Sequence, residues 1–383
     1  MAWKESDNGM YINIGGRMLR RGHTTGTCAA AASKAAAEML INGTDVLSVT
    51  VVTPRGIALD LPVEDASRGE GWVRCAVRKD GGDDIDVTDG HLVFSEVHLA
   101  DDGIKIDGGP GVGRVTKKGL DQPVGAAAIN RVPRSMISEA LEGIRMTLGY
   151  DGGFDVVISI PDGQELAKRT FNPRLGIEGG ISILGTSGIV EPMSERAVVD
   201  TIKTEMNVRK NEGCRYLLVV PGNYGEGYIR SIGGLDPESA VKCSNFIGET
   251  LDHACELGFE GLLLVGNLGK LVKLAGGVMN THSREADARM EILAANAALS
   301  GASVETVRKI MECVSTDDAL DVLDRDGAIP LTMDLVSKKI EFYMNHRTGG
   351  RIKCGAFVFS SKYGLIGGTP GAADLLKAMG GTL

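Results

Sequence analysis

Aromatic residues make up only 4% of this 383-residue chain. Platforms that stack bases are built from such rings, so a single-strand nucleic-acid surface is not expected. Positive charge is also in the minority. With 41 Lys and Arg against 50 Asp and Glu the net charge is −9, which argues against a general nucleic-acid binder and leaves room for local basic patches. No apolar run approaches the ~20 residues that cross a bilayer. The opening MAWKESDNGM lacks the basic and apolar regions of a signal peptide. Seven cysteines are scattered without a CxxC or zinc-like spacing. They read as reduced, packed thiols of a cytoplasmic protein.

Glycine is plentiful instead, at 53 residues, and implies many tight turns. A chain of this length is expected to form two domains. The most informative stretch is VGNLGKLVKLAGGVMNTHS, residues 265–283. The apolar run Leu262 to Val265 leads into it and Gly266 breaks the run. Leu268, Leu271, Val272 and Ala275 then recur at helical spacing. Lys270 and Lys273 fall on adjoining faces of that helix. A buried strand, a glycine turn and a helix start make a site for an anionic or dipolar ligand. An ordinary βα unit with solvated lysines fits the same spacing. A phosphate loop does not, because Leu271 stands where Ser or Thr is required.

Nearer the start, Thr24, Thr25 and Thr27 are N-cap candidates for an alanine-rich helix ending near Asn42-Gly43. An alanine face admits another backbone, or a large flat ligand, at close range. Arg20, Arg21 and His23 gather just before the cap and, with the helix N-terminus, suit carboxylates. The same N-terminal position could lower the pKa of Cys28. From Asp45 to Leu99 the pattern turns to strands: a hairpin around Pro54-Arg55-Gly56, then GWVRCAVRK and HLVFSEVHL. Between the last two lies DGGDDIDVTDG, which lacks the spacing of a calcium loop and reads as a turn at a sheet edge. Next, GGPGVGRVTKKGL carries Arg114, Lys117 and Lys118, and no strand or helix flanks it as a dinucleotide fingerprint requires. Pro133 opens a helix over Arg134 to Leu148, and FDVVISI is a strand.

Beyond Arg174 the rhythm becomes strand, turn, helix. GGISILGTSGIV, RYLLVVPGNYGEGYI and GFEGLLLVGNLGK each run from an apolar strand into a glycine turn. The expected architecture is an α+β domain, residues 1–175, followed by an open α/β domain, 176–383, Rossmann-like with a mostly parallel sheet. The C-terminal part is helical from His282 to His346 and closes with GAFVFSS as a last strand. The three glycine turns should gather outside the carboxyl ends of that sheet.

The chain resembles the cobalt-precorrin-5B C(1)-methyltransferases of oxygen-independent cobalamin synthesis, the CbiD-type family. The stretches that carry the resemblance are RRGHTTGTCAAAASKAA, GGPGVGRVTKKGL, INRVPRSMI, GGISILGTSGIVEPMSE, PGNYG, KCSNFIGETLD and VGNLGKLVKLAGGVMNTHSREADARMEI. Asn267 stands where the family pattern has His, His23 where it has Tyr, and Arg131 where it has Pro. The resemblance implies methyl transfer from S-adenosylmethionine to carbon 1 of a cobalt tetrapyrrole that brings its own metal. It implies no protein-bound metal, no nucleic acid and no membrane. A homo-oligomer and transient contacts with neighbouring pathway enzymes fit it.

On this reading the cofactor-binding residues are Gly185, Thr186, Ser187 and Gly188, then Gly222 and Asn223, then Gly266, Gly269 and Lys270. Gly185 and Gly266 let backbone approach the ligand where a Cβ would intrude. Substrate carboxylates are met by Arg20, Arg21, Thr24, Thr25 and Thr27, and by Lys117, Lys118 and Arg134, with Lys270 and Lys273. His282, in the polar cluster after the lysine helix, takes a positioning role. A non-catalytic corrinoid-binding protein and a phosphate-using enzyme remain as alternatives.

Overall fold

The computed structural model describes residues 9–222 and 224–382. The chain forms two compact units, one up to Glu195 and one from Arg196 onwards.

In the first unit a run of small side chains sets the packing. The helix Thr25–Asn42 is capped by Thr24, whose Oγ1 accepts the Thr27 N–H, and it ends on Gly43 at φ 71°. Cys28, Ala29 to Ala32 and Ala35 to Ala37 are all 0–1% exposed. Without long side chains the helix lies close to a five-stranded sheet: Cys75 Sγ donates to Ala32 O, and the Ser33 and Ser95 hydroxyls meet at 2.8 Å. The alanine face is therefore filled by protein, not left for a flat ligand. In that sheet Glu64–Gly69, Trp72–Arg78, Leu92–Ala100 and Gly153–Ser159 are successively antiparallel, and Ile104–Gly108 adds in parallel to the last. The expected hairpin is Ser48–Val52 with Ala58–Pro62. The helix Arg131–Leu148 covers the alanine helix and starts three residues earlier than Pro133 suggested, at Asn130 as N-cap.

The second unit is built on a sheet ordered Val241–Lys242, Tyr216–Val220, Gly261–Asn267, Lys353–Ser360, Gly364–Gly368. The first four strands are parallel and the last is antiparallel. The apolar run in the central strand follows from burial of both faces. Leu262 and Leu264 enter one core with the helix Ile247–Glu256 and the C-terminal helices, while Leu263 and Val265 enter another with Ile229 and Leu375.

Three expectations need correction. The segment GGISILGTSG does not join the parallel sheet. Gly180–Ile181 pairs with Gly111–Val112, and Ile181 and Ile183 are buried in the first unit's core, so only two of the three glycine turns lie on this sheet. The lysine helix is short: Leu268–Leu271 gives way to a 3₁₀ stretch, Val272–Gly276, that stops at Gly277 with φ 79°. GAFVFSS is not the last element, since the strand Gly364–Gly368 and the helix Ala372–Ala378 follow it.

Candidate functional site

In the second unit the strand order reverses at Tyr216–Val220. The chain leaves it toward Val241–Lys242 on one side and returns to Gly261–Asn267 on the other. Open α/β sheets bind ligands outside the carboxyl ends at such a point. Pro221, Gly222, Ser244, Asn267 and Lys270 meet there. Lys270 Nζ donates to Pro221 O and, at 3.2 Å, to Ser244 O. Burial lowers its pKa, and Lys273 adds to the effect. Asn267 Oδ1 accepts the Gly269 N–H at 2.8 Å while its Nδ2 donates to Tyr228 Oη at 3.0 Å. An amide with one acceptor and one donor end thus has a structural task at this position. The Tyr228 ring stacks on Phe359 with centroids 4.6 Å apart. Ser244 and Tyr228 were missed by sequence reasoning. Nothing in KCSN announces that Ser244 takes a left-handed backbone, φ 53°.

Gly266 has a different role from the one expected. A Cβ there would meet Pro221 Cγ at 2.8 Å, so its missing side chain makes room for proline. Lys273 is 3% exposed and donates to Thr281 O and Ala286 O. It and Lys270 serve different loops instead of one shared face. His282 is exposed, its Nδ1 accepting the Arg284 N–H at 3.1 Å. Asn223 lies outside the described residues.

Two further groups belong to the first unit and bind each other. Thr27 Oγ1 donates to Gly188 O at 2.7 Å, and Thr25 Oγ1 accepts the Leu184 N–H. The Gly26 N–H donates to Leu184 O and the Thr24 N–H to Gly188 O. Gly185, at φ 134°, is pressed on Thr24, where a Cβ would lie 2.3 Å from Oγ1. Ser187 Oγ bonds Ile189, and Thr186 is exposed. The three threonines are buried, and the Gly26 and Thr27 N–H groups of the helix start are taken by Leu184 O and Thr24 Oγ1. The two motifs form an interlock.

The basic residues differ in what they have left to offer. Arg20 pairs with Asp80, and Arg21, 9% exposed, pairs with Glu191 and Gly9 O. Arg134 donates to Ile129 O and Ile106 O, both at 2.8 Å, and burial lowers its pKa. Lys117 is half-buried and Lys118 exposed. In the acidic loop Lys79, 2% exposed, pairs with Asp86 at 2.8 Å. Asp86 and Thr88 thus serve the loop itself, the Thr88 hydroxyl donating to Asp86. A cavity of about 550 Å³ opens beside this loop, lined by Met10, His23, Leu59, Arg78, Lys79 and Asp80 among others. His23 Nε2 faces Arg78 O at 3.0 Å, and burial lowers its pKa. Cys28 is not activated: burial pushes its thiol up to about 12. Among the described residues no group of three or more His, Cys, Asp or Glu is placed to hold a metal, and no helix is long and apolar enough to cross a membrane.

These units define a mixed α/β protein whose second unit is built on a mostly parallel sheet. Residues 13–192 match the family described as CbiD, and residues 280–370 match its C-terminal domain. A protein of Ruminiclostridium cellulolyticum named cobalt-precorrin-5B C(1)-methyltransferase is 48% identical, covering 96% of this chain and 97% of its own. Another of that name, from Alkaliphilus metalliredigens, is 45% identical over 96% of this chain and 97% of its own. A crystal structure of the cobalamin biosynthesis protein cbiD from Archaeoglobus fulgidus is 31% identical, covering 75% of this chain and 92% of that one with a TM-score of 0.41. The chain belongs to the CbiD family.

Proposed function

We propose that this protein methylates carbon 1 of cobalt-precorrin-5B, with S-adenosylmethionine as donor, in the early-cobalt route to cobalamin. The observation that carries the reading is the 48% identity, over 96% of the chain, to a relative bearing that activity in its name. In the reaction, carbon 1 attacks the sulfonium methyl. The new C–C bond forms as the C–S bond breaks, and the electron pair of the broken bond leaves on sulfur as S-adenosylhomocysteine. The sulfonium is already activated, so the protein's contribution is alignment. Thiols held near 12, as at Cys28 and Cys243, suit direct transfer without a cysteine intermediate.

In this reading the sheet of the second unit is an open, Rossmann-like cofactor domain, and the donor lies at its carboxyl edge against Gly222, Gly269 and Lys270. Lys118, exposed, is the residue proposed to meet a carboxylate of the substrate. His282 positions the reactants, and the chain works in the cytoplasm beside the neighbouring enzymes of the route. His282→Ala is expected to lose about tenfold in rate or affinity while its melting temperature stays that of the parent. A variant that unfolds instead would make His282 structural. The activity itself is tested with methyl-labelled S-adenosylmethionine and cobalt-precorrin-5B. Label in the corrinoid, with S-adenosylhomocysteine released, is the expected result. Corrinoid binding without label transfer would leave a carrier and not an enzyme.

A further inference from the structure

Lys270 holds its ammonium among neutral carbonyls. Its Nζ bonds two neutral groups, Pro221 O and Ser244 O, and no carboxylate among the described residues pairs with it. Other basic groups nearby or in the same motif are closed off. Lys242 pairs with Glu226 at 2.6 Å, and Lys273, 3% exposed, is buried where Lys270 is not. An ammonium has three N–H donors, and two carbonyls leave one of them unused. The cost of a desolvated charge is ordinarily relieved by an anion.

A Cβ built on Gly222 would meet nothing within 4 Å except Lys270 Nζ, at 3.7 Å. Opposite, Ser244 holds a left-handed backbone, φ 53°, that a non-glycine residue seldom adopts, and its carbonyl turns to the same ammonium. All of this lies at the reversal of strand order, where the sheet leaves a crevice. We propose that Lys270 takes the carboxylate of the methionyl end of S-adenosylmethionine as its counter-charge, seated against Gly222. The assignment rests on the donor lying at this edge of the sheet.

The test uses two ligands that differ by that carboxylate alone, S-adenosylmethionine and decarboxylated S-adenosylmethionine. Each is titrated calorimetrically into the full chain and into Lys270→Met. The parent is expected to favour S-adenosylmethionine, and Lys270→Met to lose about ten- to a hundredfold in affinity for it, as a charge-assisted contact implies. Affinity for the decarboxylated ligand should change by less than about threefold, because no charged contact is removed. Equal losses for both ligands, or no loss for either, would overturn the role of Lys270. A parent chain that binds neither ligand would instead sink the cofactor reading beneath it. If Lys270→Met fails to fold, Lys270→Gln, which keeps a donor for Pro221 O, is measured in the same way with the same outcomes.

Discussion

At Cys28, helix position and burial pull in opposite directions. A helix N-terminus favours a thiolate, but this side chain is 0% exposed and its thiol is pushed up to about 12. At neutral pH the thiolate fraction is therefore on the order of one in a hundred thousand. Cys28→Ala, a small residue among alanines, is expected to retain most turnover. A methylated Cys28 found by mass spectrometry in a single turnover would replace direct transfer with a two-step route. Asp80 gives the opposite kind of shift. Hydrogen bonds from Arg20 hold its carboxyl at about 2, against burial that would raise it. Because the folded value lies below the unfolded one of about 3.9, this stability is present above about pH 4 and lost as pH falls toward 2. The pair is partly exposed, so its contribution is small. Melting temperatures of the parent and Asp80→Asn should converge as pH falls from about 5 to 2. A gap that stays constant with pH would mean that the titration of Asp80 contributes nothing.

At the scale of elements, two glycines that look alike in sequence are held by different neighbours. Gly185 is pinned by Thr24 inside the threonine interlock, and Gly266 by Pro221 beside the sheet edge. In both, a β-carbon would fall under 3 Å from packed atoms, and overpacking of this kind costs about 1–3 kcal/mol. Gly185→Val and Gly266→Val are each expected to lower the melting temperature by several degrees, about 2–4 °C per kcal/mol at this size. Unchanged melting with lost affinity for S-adenosylmethionine would restore the idea that ligand, not protein, occupies the space. The interlock joins HTTGT and LGTSG in space. Their hydroxyls and carbonyls satisfy one another across the chain, as in the Thr27–Gly188 bond at a separation of 161 positions.

For the molecule as a whole, the net charge of −9 repels an acidic tetrapyrrole at long range, and local cations must act against that field. Substrate affinity should accordingly fall steeply with added salt, while S-adenosylmethionine, held largely by packing of its adenosine, responds little. Parallel salt curves for the two ligands would refute this division. The measurement also separates Lys118 and Arg20, open enough to be screened, from Arg134 and Lys273, whose bonds to backbone carbonyls salt does not reach.

Local patterns alone determined the alanine helix with its Thr24 cap and Gly43 stop, the hairpin after Asp45, the buried central strand and the helical run after His282. Each is specified by spacing within a few residues, and the motifs carried the family likewise. Tertiary structure decided which groups are spent. Whether Arg20 meets Asp80, whether Gly266 faces Pro221 or a ligand, and whether GGISILGTSG enters the parallel sheet depend on partners 45 to 69 positions away. Lysines three residues apart look equivalent on a helical wheel. Only the fold shows Lys273 buried and Lys270 half-buried beside Gly222, because burial and counter-charge are properties of neighbours in space and not in sequence.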